Sequence, residues 1–112
     1  MIHLFIASEF EAKPFIKGLQ KVQDVQAVYK GEHYAVIITG MGLVNSASTT
    51  SAYLETLTKD TNHRFINIGI AGSGNSKLEL AGVYQVSQFT MFCSSEIPAN
   101  SRFVWERSYP DI

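Results

Sequence analysis

Several features that define whole classes of protein are missing from this sequence. No apolar run approaches the roughly 20 residues that a membrane-spanning helix requires, and the apolar run at 2–7 is too short for a signal peptide. The single cysteine, Cys93, excludes an internal disulfide, and no cysteine–histidine cluster could form a structural zinc site. We therefore expect a cytoplasmic protein with no membrane association and no bound metal.

An excess of charge of one sign is also missing. The 10 acidic and 9 basic residues leave a net charge of −1, and the basic residues form no local cluster. Nucleic acid is therefore not expected as a partner. The chain has 112 residues, of which 46% are hydrophobic and 17% are charged. That composition is typical of one folded globular domain and argues against disorder.

Hydrophobic periodicity predicts an alternation of strands and helices. The run 2–7 is continuously apolar apart from His3, which is typical of a strand buried on both faces of a sheet. The predicted elements are strand 2–7, helix 8–19, strands 25–30 and 34–39, helix 43–57, strand 64–70 and strand 83–92, followed by an irregular tail over 93–112. This order predicts an α/β fold with a mixed, mostly buried β-sheet flanked by helices.

Each predicted helix is expected to bury one face. The first should bend or end early at Pro14, because proline lacks the amide hydrogen of a helical residue. Its apolar residues near one side are Phe10, Phe15, Ile16 and Leu19. In the second helix, the predicted packing face is a stripe of small and apolar residues: Val44, Ala47, Ser51 and Leu54.

Unusual residues follow three of the predicted strands. They occupy 8–11 (SEFE), 40–45 (GMGLVN) and 69–75 (GIAGSGN). In open α/β sheets, ligands bind beyond the carboxyl ends of the strands. We therefore interpret the three stretches as candidate parts of one ligand site.

The pair Ser8 and Glu11 has two explanations. Their spacing matches a capping box, in which each side chain bonds to the backbone amide of the other residue. Alternatively, Glu11 projects from the end of the strand into a cleft and acts as a general base, a role that partial burial of a carboxylate favours. A glutamate in the first turn of a helix can serve both purposes, so both explanations stay open.

The two glycine-containing stretches also have structural and functional explanations. The stretch 40–45 could be a simple strand-to-helix turn, or it could let the backbone approach a ligand beside the start of a helix. The small residues at 69–74 would suit a flat ring lying against the backbone. The stretch 40–45 matches neither a triphosphate-binding loop nor a dinucleotide-binding fingerprint, which counts against those ligands.

Taken together, the three stretches resemble the nucleoside phosphorylase and nucleosidase superfamily, over residues 1 to about 92. ASEFE at 7–11 is similar to the first strand-to-helix turn of that family, GMGLVNSA at 40–47 to a helix start, and NIGIAG at 67–72 to a strand end beside the base and ribose. Within the superfamily, the sequence looks most like futalosine hydrolases and methylthioadenosine/S-adenosylhomocysteine nucleosidases.

This resemblance implies a homodimeric enzyme that hydrolyses the N-glycosidic bond of a purine-type nucleoside without a metal or organic cofactor. Glu11 would be the catalytic residue that activates water. The residues that would contact the nucleoside are Ser8, Met41, Gly42, Ile70, Ala71 and Gly72. The tail aromatics Phe103 and Trp105 would reach the pocket of the neighbouring subunit. Phosphorolysis is less favoured, because the stretch 67–70 (NIGI) carries no arginine that could pair with phosphate.

The chain departs from that family in its length. Family members are longer, and their later half supplies a glutamate for the ribose diol and an aspartate that protonates the leaving base; neither motif is present. We therefore expect residues 1–112 to form the N-terminal half of one nucleosidase-type domain, which would not turn over substrate alone. The alternative is a catalytically incomplete half-fold that acts as an interaction or binding protein. A flavodoxin-like domain is disfavoured, because the acidic residues at 8–11 would repel phosphate.

Overall fold

The computed structural model describes residues 1–23, 27–59, 62–88 and 105–106. The described elements are β1 (Ile2–Ile6), α1 (Glu9–Ile16), β2 (Gln20–Gln23), β3 (Ala27–Lys30), β4 (Tyr34–Ile38), α2 (Leu43–Leu54), β5 (Arg64–Ile68), β6 (Gln85–Val86) and β7 (Trp105–Glu106). They belong to two compact units, Met1–Ala71 and Gly72–Ile112, which are described separately.

The first unit is built on a five-stranded sheet in the order β2-β3-β4-β1-β5. Strand β1 lies between β4 and β5 and pairs with both in parallel, while β2, β3 and β4 pair with one another in antiparallel fashion. The predicted mixed α/β architecture is therefore confirmed, including the antiparallel pair around 31–33. Strand β2 was not predicted, because its sequence QKVQ carries only one apolar residue.

The two helices of the first unit contact opposite faces of this sheet. Leu4 and Ile6 of β1 pack with Ala12 of α1, whereas Phe5 of β1 packs with Tyr53 of α2. This division follows from the strand period of two, which sends alternate side chains to opposite faces. Strand β1 is therefore buried on both faces, as its continuous apolar run predicts. Burial of each large aliphatic side chain in it stabilises the fold by about 1.5–3 kcal/mol.

Helix α1 is shorter than predicted and buries fewer of the predicted residues. It ends at Ile16, two residues after Pro14, which lacks the amide hydrogen that would bond to the Phe10 carbonyl. The predicted apolar side of the helix is confirmed for Phe15, Ile16 and Leu19. They pack against the face of the sheet that bears Leu4 and Ile6. The prediction is wrong for Phe10, whose side chain is exposed.

The predicted packing face of α2 is also wrong. Its members Val44, Ala47, Ser51 and Leu54 are all exposed, and Val44 is 82% exposed. The helix is instead held by Tyr53, which is buried, with Leu57 just beyond the helix packed beside it. The sequence of α2 contains more than one row of residues at helical spacing. The row that contacts the sheet includes Tyr53, and the row with the aliphatic residues Val44 and Leu54 faces outward.

Strand β5 departs from the expectation of a mostly buried sheet. It ends at Ile68 rather than Ile70, and its only paired neighbour among the described strands is β1. Phe65 and Ile66, which point to opposite faces, are both exposed. The expected burial therefore holds for β1 and for most of β4, but not for this edge strand.

The second unit contains short turns and one two-stranded ribbon. The Asn75 side chain accepts a hydrogen bond from the Lys77 amide at 3.0 Å, and the Tyr84 hydroxyl accepts one from the Glu79 amide at 2.9 Å. Strands β6 and β7 pair in antiparallel fashion. Of the predicted strand 83–92, only β6 is a strand within 83–88, and 89–92 lie outside the described residues. No helix in the described ranges is long and apolar enough to cross a membrane.

Two substitutions test the assignment of buried and exposed faces. Ile6→Ala should lower the free energy of unfolding by about 2–5 kcal/mol, because it leaves a cavity at a fully buried position. Val44→Ala should change it by less than about 0.5 kcal/mol, because Val44 lies on the exposed side of α2. Urea unfolding followed by circular dichroism measures both. Equal losses in the two variants would contradict the assignment of the α2 face.

Candidate functional site

The candidate site lies at the carboxyl edge of the first unit's sheet. Ile6 of β1 is in register with Ile38 of β4 on one side and with Ile68 of β5 on the other. The three parallel strands therefore end level with one another. The predicted stretches at 8–11 and 40–45, and the first residues of the stretch at 69–75, follow these ends along one edge. Their common location was a prediction from sequence, and the strand register confirms it.

Ser8 begins α1 as the predicted cap. It has the extended backbone of an N-cap residue, and its Oγ accepts a hydrogen bond from the Glu11 amide at 3.3 Å. This bond uses the backbone of Glu11 and leaves its carboxylate available for another role. The capping explanation and the functional explanation of Glu11 are therefore compatible.

The Glu11 carboxylate has an unusual environment. The residue is partly buried, and its Oε2 is removed from solvent with no hydrogen-bond partner within the described structure. A buried carboxylate oxygen without a donor is costly, because it has lost water and gained nothing in exchange. Such an atom is expected to receive a hydrogen bond from a bound molecule. Glu9, two residues earlier, is exposed and accepts a hydrogen bond from the Tyr29 hydroxyl at 3.4 Å.

The loop between β4 and α2 is shaped by two glycines with positive φ. Gly40 has φ 79°, and a Cβ there would lie 3.2 Å from the Cβ of Asn45, so no larger residue fits without movement. Gly42 has φ 85° and ψ 165°, a conformation that is essentially restricted to glycine, and it is the N-cap of α2. The Asn45 side chain donates to the Met41 carbonyl at 2.9 Å and holds the turn closed.

Thr39 is a contributor to this edge that sequence reasoning missed. It is buried, its amide donates to the Ile6 carbonyl at 2.9 Å, and its hydroxyl donates to the Gly40 carbonyl at 3.0 Å. It therefore extends the pairing of β1 and β4 beyond the last residue of β4 and fixes the start of the glycine loop. The sequence feature that could have indicated this role is a β-branched polar residue directly before Gly40.

The other predicted contact residues differ in where they lie. Met41 and Ile70 expose apolar side chains at the carboxyl edge, 75% and 76% exposed, and Ala71 follows them at the end of the first unit. Gly72 begins the second unit and is not placed relative to this edge. Phe103 lies outside the described residues, and Trp105 is described only through the backbone of β7.

The described ranges contain no group of three or more histidine, cysteine, aspartate or glutamate side chains that could hold a metal ion. The groups present at this edge are the partly buried Glu11 carboxylate, the exposed Glu9 carboxylate, backbone groups beside glycines, and apolar side chains.

A pair of glycine substitutions tests the backbone of the site. Gly42→Ala should lower the free energy of unfolding by about 1–3 kcal/mol, because its φ of 85° strains any residue with a Cβ. Gly69→Ala is the matched control, since its φ is not positive and an added Cβ meets nothing within 4 Å. It should leave stability unchanged or slightly raised. A loss from Gly69→Ala as large as that from Gly42→Ala, measured by thermal unfolding, would contradict this account.

Comparison with known proteins supplies no relative from which a function could be transferred. Neither the protein-family models, nor the curated proteins, nor the solved structures contain a match to this chain. The arrangement at the carboxyl edge, rather than kinship, is therefore the basis on which a function is proposed.

Proposed function

We propose that the chain carries the water-activating half of a nucleosidase, an enzyme that hydrolyses the N-glycosidic bond of a purine-type nucleoside. The single observation that carries this proposal is the buried, unpartnered Oε2 of Glu11 at the carboxyl edge. A carboxylate oxygen in that setting can accept a proton from a water molecule held beside it. Supporting this is the resemblance of the three edge stretches to the nucleosidase motifs, in the same order along the chain.

The proposed reaction begins with water placed against the Glu11 carboxylate. The bond between the ribose carbon and the base nitrogen breaks through an oxocarbenium-like state, as in glycoside hydrolysis. Water then adds to the ribose carbon, its proton passes to Glu11, and the base leaves with the bonding electrons. The departing base must itself receive a proton. We assign none of the described residues to that step.

The remaining edge residues would position the nucleoside. Met41 and the backbone at Gly42 would contact the sugar, because the glycine permits close approach at the start of α2. Ile70 and Ala71 would provide an apolar surface for the flat base. Ser8, whose Oγ already accepts the Glu11 amide, would hold the first turn of α1 in place beside the ribose.

Water is preferred over phosphate as the proposed nucleophile because the arginine of β5 lies at the amino end of that strand. Arg64 begins β5, so about four residue steps of roughly 3.3 Å separate it from the carboxyl edge at Ile68. Glu11 adds negative charge where a phosphate dianion would need to sit. A site with this charge favours neutral water over phosphate.

We also propose that these residues form the first half of a nucleosidase-type domain, with the acid for the leaving base supplied by other residues. One observation favours a second candidate, an interaction or binding protein. Phe65 and Ile66 are exposed on opposite faces of β5, and Val44 is exposed on α2, and a protein partner could cover these apolar side chains. Nucleoside hydrolysis by a form of the protein that contains an acid for the base distinguishes the two candidates.

A substitution at Glu11 tests the proposed catalytic role. In a form of the protein that turns over nucleoside, Glu11→Gln should reduce kcat by at least about 10²-fold, because the amide cannot take a proton from water. The melting temperature should change little, since the cap uses the backbone amide of residue 11. Glu9→Gln is the matched control and should retain turnover, because Glu9 is exposed in the same helical turn. Near-normal turnover by Glu11→Gln would leave Glu11 only a structural role.

The choice of nucleophile gives a separate prediction. Futalosine and methylthioadenosine should be cleaved in buffer without phosphate, giving free base and free sugar. The products are identified by chromatography and mass spectrometry, with and without added phosphate. Strict dependence on phosphate, with a sugar 1-phosphate as product, would overturn the assignment as a hydrolase.

A further inference from the structure

A chain of hydrogen bonds joins three elements at the amino edge of the sheet, away from Glu11. The ring of His3, near the start of β1, lies 2.8 Å from the Tyr53 hydroxyl through Nδ1 and 2.9 Å from His63 Nδ1 through Nε2. The other ring nitrogen of His63, Nε2, lies 2.8 Å from the Thr58 carbonyl. The chain thus connects β1 to the last turn of α2 and to the segment that leads into β5.

The Thr58 carbonyl determines the direction of every bond in this chain. A carbonyl only accepts, so His63 must carry its hydrogen on Nε2. In a neutral His63, Nδ1 is then an acceptor, so His3 must donate through Nε2. Nδ1 of His3 is consequently an acceptor too, and the Tyr53 hydroxyl must donate to it. With both imidazoles neutral, all four groups are satisfied and only one arrangement of hydrogens is possible.

An added proton cannot be accommodated without reversing that order. If His63 gains a hydrogen on Nδ1, it must donate to His3 Nε2, and His3 must then carry its own hydrogen on Nδ1. If His3 gains the proton, the same hydrogen appears on Nδ1. In either case the bond to Tyr53 reverses: His3 donates to the Tyr53 oxygen, and the hydroxyl hydrogen needs another acceptor. The buried side chains that pack with Tyr53 around Phe5 and Ile37 are apolar and offer none.

The surroundings of His3 oppose the cation as well. Its side chain is 1% exposed, and its strand neighbours in register are the uncharged Ala35 and Phe65, with the Phe65 ring stacked 5.2 Å away. Burial lowers the pKa of His3 below its ordinary value of 6.5. The titratable and charged groups that act on it, namely His63, the Met1 ammonium and Lys30 of β3, lower that pKa further.

We propose that His3, His63 and Tyr53 form a pH-sensitive latch, which holds the end of α2 against the sheet while both imidazoles are neutral and releases it when either one gains a proton. Tyr53 is the one fully buried side chain of α2. The rest of the helix is exposed or half-buried, so loss of the latch acts on α2 before it acts on the β3–β4 pair.

The direction of the pH dependence follows from proton binding by the two states. Because the pKa of His3 is lower in the folded chain than in the unfolded chain, the unfolded chain binds the proton first as the pH falls. The stabilising contribution of the latch is therefore complete above about pH 6.5 and declines as the pH falls through that value toward the folded-state pKa of His3.

Nuclear magnetic resonance of the full 112-residue chain tests the latch. About one pH unit above 6.5, both His3 and His63 should carry hydrogen on Nε2 only, as read from their ring nitrogen shifts. About one unit below 6.5, hydrogen-exchange protection of the amides near Tyr53 should fall severalfold more than that of β4, after correction for intrinsic exchange. A hydrogen on His3 Nδ1 at the higher pH, or an equal loss of protection in α2 and β4, would overturn the proposal.

Three variants separate the latch from general destabilisation. Tyr53→Phe keeps the ring but removes the bond to neutral His3, so His3 should titrate at higher pH than in the parent chain. His63→Ala leaves the Nε2 hydrogen of His3 without its acceptor and should lower α2 protection at both pH values. His33→Ala is the control, because the His33 side chain is 85% exposed and lies 3.9 Å from the Glu32 carboxylate, and it should leave α2 protection and its pH dependence unchanged. An unchanged titration of His3 in Tyr53→Phe would count against the latch.

Discussion

The parallel pairing of β1 with both β4 and β5 is the constraint on which the rest of the first unit depends. It places the ends of three strands level, so that chain segments far apart in sequence emerge at a common edge. It also fixes which residues of β1 face α1 and which face α2, because a shift of one residue would exchange the two sets. The core, the candidate site and the histidine chain all inherit their geometry from this register.

The two edges of the sheet carry different chemistry, and α2 connects them. Its first residue follows Gly42 at the carboxyl edge, and its last turn bears Tyr53 near the amino edge. A helix of 12 residues is about 18 Å long, which is enough to span a sheet of five-residue strands. The proposed latch therefore acts on the element that also presents the Met41–Gly42 turn.

Sequence reasoning succeeded where the signal is local and failed where it depends on distant pairing. The buried β1 and the Ser8 cap follow from short patterns, and both are present. The packing face of α2 was wrong because periodicity identifies stripes but cannot tell which one meets the sheet. The hydrogen bonds of His3 to Tyr53 and His63 join residues that are 50 and 60 positions apart in the sequence. No local sequence pattern predicts contacts over such separations. The location of Glu11 was predicted, whereas the isolation of its Oε2 required the packed structure.

The burial of β1 on both faces has a consequence for how this protein can vary. Each residue from His3 to Ile6 is buried. A larger side chain at any of these positions would therefore meet packed atoms rather than solvent. The outer side of α2 has the opposite character, since its apolar residues touch little and can be replaced singly. Among natural variants, amino-acid substitutions should therefore be frequent on the outer surface of α2 and rare in β1. A histidine inside such a strand is then retained for its hydrogen bonds rather than for its bulk.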